Sequence, residues 1–347
     1  MRPDRSLRAV SIARRWGLTP AGAYALAALR WPDRLAIIDE RGPLTFAEVD
    51  RRTGSLARAF DAAGVDRSAT VAIMCRNHRG LVESVVAASK LGADLLLLDA
   101  GGDPEAIAEA VDRAAPAALV YDEEFGGALP ASRRAPAHFI AWPEPDRPCG
   151  HPRLEDLIAR EDALAPWPPR ARHPGTVTLA PGTPGDRVGP ALPCSLEIPG
   201  AVISQIPLRA SEPTVIAAPM SGTWGYLHLM LAMRLASTLI LRRRFDPLEA
   251  LVAADEHRAT ALALLPEMLA EIVRLPAVTV RCYARDALRV LAVQGAELDS
   301  DLAIPAMEVF GDVLYNLYGP SIVRLTASWA SSVSMSESAP VGQLALT

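Results

Sequence analysis

The cysteine and lysine residues set the first limits on the chemistry of this chain. Cys75, Cys149, Cys194 and Cys282 lie far apart, and no two of them form a C-x-x-C pair. This spacing is not that of a zinc site or a disulfide framework, and it favours a reducing compartment, the cytoplasm. Lys90 is the one lysine among 35 basic residues, so a mechanism that needs two lysines is excluded.

Charge and hydropathy exclude further classes of protein. The 347 residues carry a net charge of −5 with both signs scattered, so nothing indicates nucleic acid, and a small molecule is the expected ligand. The longest apolar stretch, residues 224–241, contains His228 and Arg234 and predicts a buried helix and strand, not a transmembrane segment. Residues 1–15 are basic and lack the apolar core of a signal peptide. They fit a helix that contacts a membrane or, as we favour, a helix packed on the protein surface.

Strand and helix signals alternate from Leu35 onward, which is typical of a mostly parallel α/β sheet. Thr45 and Glu48 form a capping box at the start of a helix that Gly64 should end. Lys90 falls near the end of a later helix, where we expect it on the solvated surface. The predicted strands of this half are 35–38, 71–75, 95–98 and 118–121, and the predicted helices are 46–63 and 82–91.

Prolines crowd the segment 122–174, which predicts a connector without regular structure. We therefore expect two domains, 1–174 and 175–347, built as two adjoining α/β subdomains with mostly parallel sheets. In the second, Asp246 as N-cap, Pro247 and Glu249 predict the start of a helix. The other predicted elements are strands 215–218, 238–241, 261–265, 288–293 and 313–316, and helices 268–274 and 299–310.

Several segments resemble the adenylate-forming (AMP-binding) superfamily, and among its members the fatty acyl-CoA synthetases. They are PDRLA at 32–36, LTF at 44–46, CRNHRG at 75–80, RFDP at 244–247 and FGDV at 310–313. Members of this family join a carboxylate to AMP from ATP with Mg²⁺ and then pass the acyl group to coenzyme A. The resemblance therefore implies ATP or AMP, Mg²⁺ and coenzyme A as family cofactors.

The family's phosphate loop, TSGTTGxPKG, corresponds here to residues 180–189, APGTPGDRVG. By this resemblance the nucleotide-binding residues of the segment are Gly182, Thr183, Gly185 and Arg187. Val188 stands at the lysine position, Pro181 and Pro184 remove two N–H donors, and Asp186 adds a negative charge. These changes predict a weak hold on phosphate. Arg187 can replace the lysine, but we favour a surface loop that has lost its ligand.

The resemblance also locates the adenine and acyl sites. The family's YGSTE stretch appears as residues 318–322, YGPSI, in which Tyr318, Gly319 and Ser321 are the expected adenine-site residues. Gly295 and Ala296 match the other adenine turn, although a glycine after a strand is often a simple turn. Ile322 has no side-chain oxygen for magnesium, so no metal ligand is predicted.

The acyl segment of the nearest relatives, PMFHAWG, corresponds to residues 219–225, PMSGTWG. Trp224 and Gly225 are retained and are the predicted substrate-binding residues. The family's histidine is absent, and His228 lies too far along a helix to replace it, so we expect it to be a core or surface residue.

Three functions remain open. The first is a fatty acyl-CoA synthetase with little or no activity alone, because no residue matches the family's catalytic lysines and the family's mobile C-terminal domain is expected to be missing. The second is a non-catalytic, regulatory protein that binds a nucleotide or an acyl group. The third is one part of a split ligase whose protein partner supplies the C-terminal domain.

Overall fold

The computed structural model describes residues 3–127, 129, 137–145, 150–160, 175–180, 192–194, 206–283, 287–295, 298–318, 333–335 and 343–346. The elements up to residue 194 are α1 (Pro3–Trp16), α2 (Pro20–Arg30), β1 (Leu35–Asp39), β2 (Gly42–Thr45), α3 (Phe46–Ala62), β3 (Thr70–Met74), α4 (Arg79–Leu91), β4 (Asp94–Leu97), α5 (Pro104–Ala114), β5 (Ala118–Asp122), β6 (Ala137–Trp142), α6 (Leu154–Ala159), β7 (Thr176–Leu179) and β8 (Leu192–Pro193).

The remaining elements are β9 (Thr214–Ile216), α7 (Thr223–Arg234), β10 (Leu239–Leu241), α8 (Pro247–Glu256), β11 (Ala261–Leu264), α9 (Pro266–Val273), α10 (Ala277–Tyr283), β12 (Val290–Gly295), α11 (Ser300–Phe310), β13 (Leu314–Tyr318), β14 (Val333–Met335) and β15 (Gln343–Leu346). Within the described ranges, no helix is long and apolar enough to cross a membrane.

The strands form two sheets. The first has the order β6-β5-β3-β4-β7-β8, and its pairs are parallel except for β7 with β8. The second has the order β14-β15-β13-β12-β11-β9-β10-β1-β2. The pairs that join β1, β10, β9, β11, β12, β13 and β15 are parallel, and β14 runs antiparallel to β15. The predicted fold class, α/β with mostly parallel sheets, is confirmed.

The chain divides into two compact units. One comprises Met1–Ala36 and Pro43–Leu196, and the other Ile37–Gly42 and Glu197–Thr347. The division falls later than residues 174 and 175 because β7 pairs in parallel with β4 of the first unit, with Val177 opposite Leu95.

Helix α3 forms where its capping box predicts. The backbone N–H of Thr45 donates to Glu48 Oε2 at 2.7 Å, and that of Glu48 donates to Thr45 Oγ1 at 3.2 Å. The bond from the Thr45 backbone lowers the pKa of the Glu48 carboxyl. The apolar residues Phe46, Val49, Leu56 and Phe60 of the helix are buried, and Gly64 adopts a φ of 88° just after the helix, a conformation that favours glycine. At α8, likewise, Asp246 caps the N–H groups of Leu248 and Glu249.

The proline-rich connector contains more regular structure than predicted. Strand β6 lies within it and forms the edge of the first sheet beside β5, and the short helix α6 follows. Neither element contains a proline. The prediction was wrong because the proline density was averaged over a segment whose proline-free stretches each form an element.

Lys90 is buried, which corrects the prediction of a solvated surface role. Its side chain is 1% exposed, and its Nζ donates to the backbone oxygen of Asp50 and to Asp50 Oδ1, both at 2.8 Å. All 13 residues of α4 are buried, so no face of this helix was available for a solvated lysine. Burial lowers the pKa of Lys90, and the Asp50 carboxylate opposes that shift.

Candidate functional site

The order of the strands in the second sheet locates a candidate binding site. The chain runs from β9 to β10 on one side and then to β11 on the other side of β9. We call the carboxyl ends of β9 and β11 the switch point of this sheet. In open α/β sheets, ligands bind in the crevice beyond the strands' carboxyl ends at such a reversal.

The predicted acyl segment leaves the sheet at this switch point. The N–H groups of Ala217 and Ala218, which follow β9, both donate to the oxygen of Ala263 in β11, at 3.0 and 3.1 Å. The chain then turns, with the Gly222 N–H donating to Pro219 O at 3.0 Å, and α7 begins at Thr223. The acyl segment thus forms the loop between β9 and α7.

Gly225 permits the first turn of α7 to approach this loop. A Cβ atom at Gly225 would lie 2.2 Å from the backbone oxygen of Pro219 and 2.6 Å from that of Ala218. A side chain cannot be accommodated against backbone at this distance. The retained glycine therefore has a packing role here, and its role in substrate binding stays a prediction.

Trp224 is buried beside the loop with an unsatisfied N–H group. Its side chain belongs to an apolar cluster with Ile206, Ala218 and Leu231 and is 2% exposed. Among the described residues, its Nε1 has no hydrogen-bond partner. Buried polar atoms without a partner are uncommon, and each one calls for an explanation such as a ligand. Contact between Trp224 and a substrate stays a prediction.

His228 lies one helical turn beyond Trp224, and its ring centroid is 4.3 Å from that of Trp224. It is 3% exposed, so of the two predicted alternatives, a core or a surface residue, His228 is a core residue. Burial lowers the pKa of His228 to about 4, which keeps the imidazole neutral at pH 7. Its Nδ1 also has no hydrogen-bond partner among the described residues.

The structure brings two predicted adenine-site positions together. Gly295 at the end of β12 and Tyr318 at the end of β13 are direct partners in the parallel ladder. On the other side of Tyr318, Ala345 of β15 is its partner. Three strand spacings, roughly 14 Å, separate β13 from β9 across the sheet. Gly295 and Tyr318 therefore end their strands at the carboxyl edge of the sheet, the same edge at which residues 219–225 follow β9.

Other predicted residues lie outside the described ranges. They are Gly182, Thr183, Gly185 and Arg187 of the phosphate loop, and Ala296, Gly319 and Ser321 of the adenine site. The phosphate segment follows β7, where the Ala180 N–H still donates to Leu97 O of β4 at 2.9 Å. The roles of these seven residues stay predictions.

The first sheet has a switch point of its own, between β3 and β5, and sequence reasoning missed the cluster there. The cluster consists of Cys75, His78 and Asp122, whose side chains are all buried and whose potential ligand atoms lie within 4.8 Å of one another. His78 Nε2 is 2.7 Å from Asp122 Oδ1. The signal was a cysteine and a histidine three residues apart after β3, with an aspartate ending the neighbouring strand.

The hydrogen bonds of this cluster are satisfied within the protein. The Gly80 N–H donates to His78 Nδ1 at 3.0 Å, so the network assigns a ring proton to Nε2, which donates to Asp122. The Arg76 N–H donates to Asp122 Oδ2 at 3.1 Å. These bonds fix the turn from β3 into α4, whose N-cap is His78. A bound metal would have to break them.

Comparisons with family models and with individual proteins point to the same family. The family model described as "AMP-binding enzyme" matches residues 25–174 and 196–342. A 4-coumarate–CoA ligase from Oryza sativa subsp. japonica is 25% identical over 296 residues, which are 80% of this chain and 52% of the relative. The chain thus spans about half the length of that ligase.

Solved structures share the fold. A protein described as a long-chain-fatty-acid CoA ligase from Rhodopseudomonas palustris superimposes with a TM-score of 0.70 at 22% identity, covering 84% of this chain and 72% of that one. The N-terminal domain of FACL13 from Mycobacterium tuberculosis superimposes with a TM-score of 0.72 at 14% identity, covering 87% and 75%.

Proposed function

Because the chain belongs to the AMP-binding enzyme family, we propose that it binds an adenine nucleotide and an acyl group at the carboxyl edge of the second sheet, with little or no adenylation by itself. The observation that carries the proposal is the pairing of Gly295 with Tyr318 on the edge that also holds the loop with Trp224. This chain retains residues that match the family's adenosine-binding and acyl-binding motifs.

The residues of this chain at the family's phosphate-binding and magnesium-binding positions do not fit those ligands. Val188 and Ile322 stand at the family's lysine and glutamate positions, and neither side chain can hold a phosphate or a metal ion. Loss of one preorganised contact to developing charge costs about 2.7 to 4 kcal/mol, roughly a hundred- to thousandfold in rate. Two such losses at once leave a trace activity at most.

The acyl ligand is proposed to be a fatty acyl group, by resemblance of the segment 219–225 to the fatty acyl-CoA synthetases. Trp224 and Gly225 are its proposed contacts. The rice relative acts, by its name, on 4-coumarate, so an aromatic carboxylate is the alternative that a binding assay must include.

Two related proposals concern the setting of this domain. A partner chain that carries a C-terminal domain would make it one part of a split ligase, and adding such a domain from a relative to the assay tests this.

A reducing compartment, the cytoplasm, is supported by Cys75, Cys194 and Cys282, all free thiols in the structure.

A pyrophosphate-exchange assay with purified chain tests the proposed loss of adenylation. With ATP, Mg²⁺ and either a long-chain fatty acid or 4-coumarate, we expect no exchange above background, because the attack of a carboxylate on the α-phosphate needs cations that this loop lacks. The Arg187→Ala variant is the matched control. Robust exchange by the unmodified chain that Arg187→Ala abolishes would show that Arg187 has replaced the lysine.

A further inference from the structure

A cleft of about 690 Å³ lies between helices α1, α2 and α3. A cavity of this volume is in the range of small-molecule sites in proteins. The residues that line it fall between positions 5 and 51, and all belong to the first unit. None of them is a residue of the proposed nucleotide or acyl site, so the cleft is a separate candidate site.

Arginines supply the polar part of the lining. Arg5 and Arg8 of α1 are three positions apart, so they lie on one face of the helix, and Ile12 continues that face one turn later. Arg51 of α3 is a third arginine in the lining. Neither Arg5 nor Arg8 forms an ion pair with any of the described residues. The cleft therefore holds two cations whose charge the described part of the protein does not pair.

The carboxylate in the cleft does not cancel this positive charge. Asp50 is the one acidic residue of the lining, and its Oδ1 accepts a hydrogen bond of 2.8 Å from Lys90 Nζ. The Lys90 side chain is 1% exposed, so this cation pairs with Asp50 inside the protein. Asp50 and Lys90 are neutral as a pair, and the arginines leave the cleft positive in a chain whose net charge is −5.

Apolar side chains form much of the remaining lining. They include Ile12 of α1 and Ala28 and Leu29 of α2. These three residues are only partly buried, so a ligand can cover apolar surface that is still exposed. Each Å² of apolar surface removed from water contributes about 25 cal/mol. A ligand that matches the cleft therefore has an anionic end and an apolar body.

We propose that this cleft binds a soluble organic phosphate monoester. The phosphate lies between Arg5 and Arg8, and an apolar or aromatic group lies against Ile12 and Leu29. A phosphate monoester carries a charge of about −1.5 to −2 at neutral pH, which two arginines neutralise. The guanidinium group also presents paired N–H donors that fit phosphate oxygens. A carboxylate or a phosphate diester carries one negative charge and leaves one of the two arginines without a counter-charge.

Titration calorimetry of the full chain with phenyl phosphate tests the proposal. We expect phenyl phosphate to bind about tenfold more tightly than inorganic phosphate, because the ring covers apolar surface. It should also bind about tenfold more tightly than methyl phenyl phosphate, a diester with a single charge. Arg5→Ala with Arg8→Ala should weaken the binding of phenyl phosphate at least about tenfold, because hydrogen bonds to a charged group are lost. Ile12→Ser should weaken it about fivefold and leave the binding of inorganic phosphate unchanged.

Matched controls use exposed residues of the same types elsewhere in the chain. Arg67→Ala with Arg274→Ala, and Ile304→Ser, should bind phenyl phosphate like the unmodified chain. Circular dichroism checks that each variant is folded. The proposal would be overturned if phenyl phosphate did not bind at millimolar concentration, or if the double arginine variant of α1 bound it as tightly as the controls do. Equal binding of the diester and the monoester would also overturn it, because the cleft would then not select a doubly charged phosphate.

Discussion

The switch points of the two sheets both hold buried polar side chains, but in opposite states. At the first, the side chains of His78 and Asp122 bond to each other and to backbone N–H groups. At the second, Trp224 Nε1 has no partner among the described residues. A satisfied network stabilises a fold, whereas unpartnered buried groups cost free energy and mark where a ligand can bind. The comparison supports a structural role for the polar cluster of the first sheet and the proposed binding role for the second.

The largest expected effect is at the first switch point. His78→Ala removes the partner of Asp122, whose carboxylate then stays buried without its ring N–H, and we expect the free energy of unfolding to fall by about 3 kcal/mol or more. His257→Ala, a histidine at the end of α8, should change it by less than about 0.5 kcal/mol. Urea unfolding of both variants measures this difference. A loss below about 1 kcal/mol for His78→Ala would contradict the structural role of the network.

Helix α7, which follows the second switch point, should make stability depend on pH through His228. Its folded pKa, about 4, lies below the ordinary value of 6.5, so the unfolded chain binds the proton more tightly between these values. Stability from the neutral buried ring is therefore complete above pH 6.5 and is lost as the pH falls towards 4. Between pH 7 and pH 5 we expect a loss of about 2 kcal/mol that His228→Gln does not show. An identical pH dependence in the two proteins would exclude this account.

The smallest expected effect on stability sharpens the comparison. Trp224→Phe removes an N–H group that has no partner, so the free energy of unfolding should change by less than about 1 kcal/mol. Thermal unfolding of this variant and of the unmodified chain, both without ligand, measures the change. A large cost for Trp224→Phe would mean that the N–H group is bonded in the free protein.

The sequence predicted the features that local signals determine. The capping box of Thr45 and Glu48 and the start of α8 at Asp246 involve residues within one turn, and both formed as expected. The pairing of Gly295 with Tyr318 agrees with the alternation of strands and helices. Long-range features were missed. Asp122 lies 44 residues from His78 and meets it only through the order of β3 and β5, and Lys90 is buried because α2 and α3 pack against α4.

The central claim is that this chain recognises nucleotide by its adenosine end and no longer by its phosphates. Titration calorimetry of the purified chain with AMP, and with ATP in the presence of Mg²⁺, tests it most directly. We predict that AMP binds at least as tightly as ATP, because Val188 and Ile322 add nothing to phosphate or metal binding. Magnesium-dependent binding of ATP about tenfold or more tighter than AMP, a difference of about 1.4 kcal/mol, would contradict it.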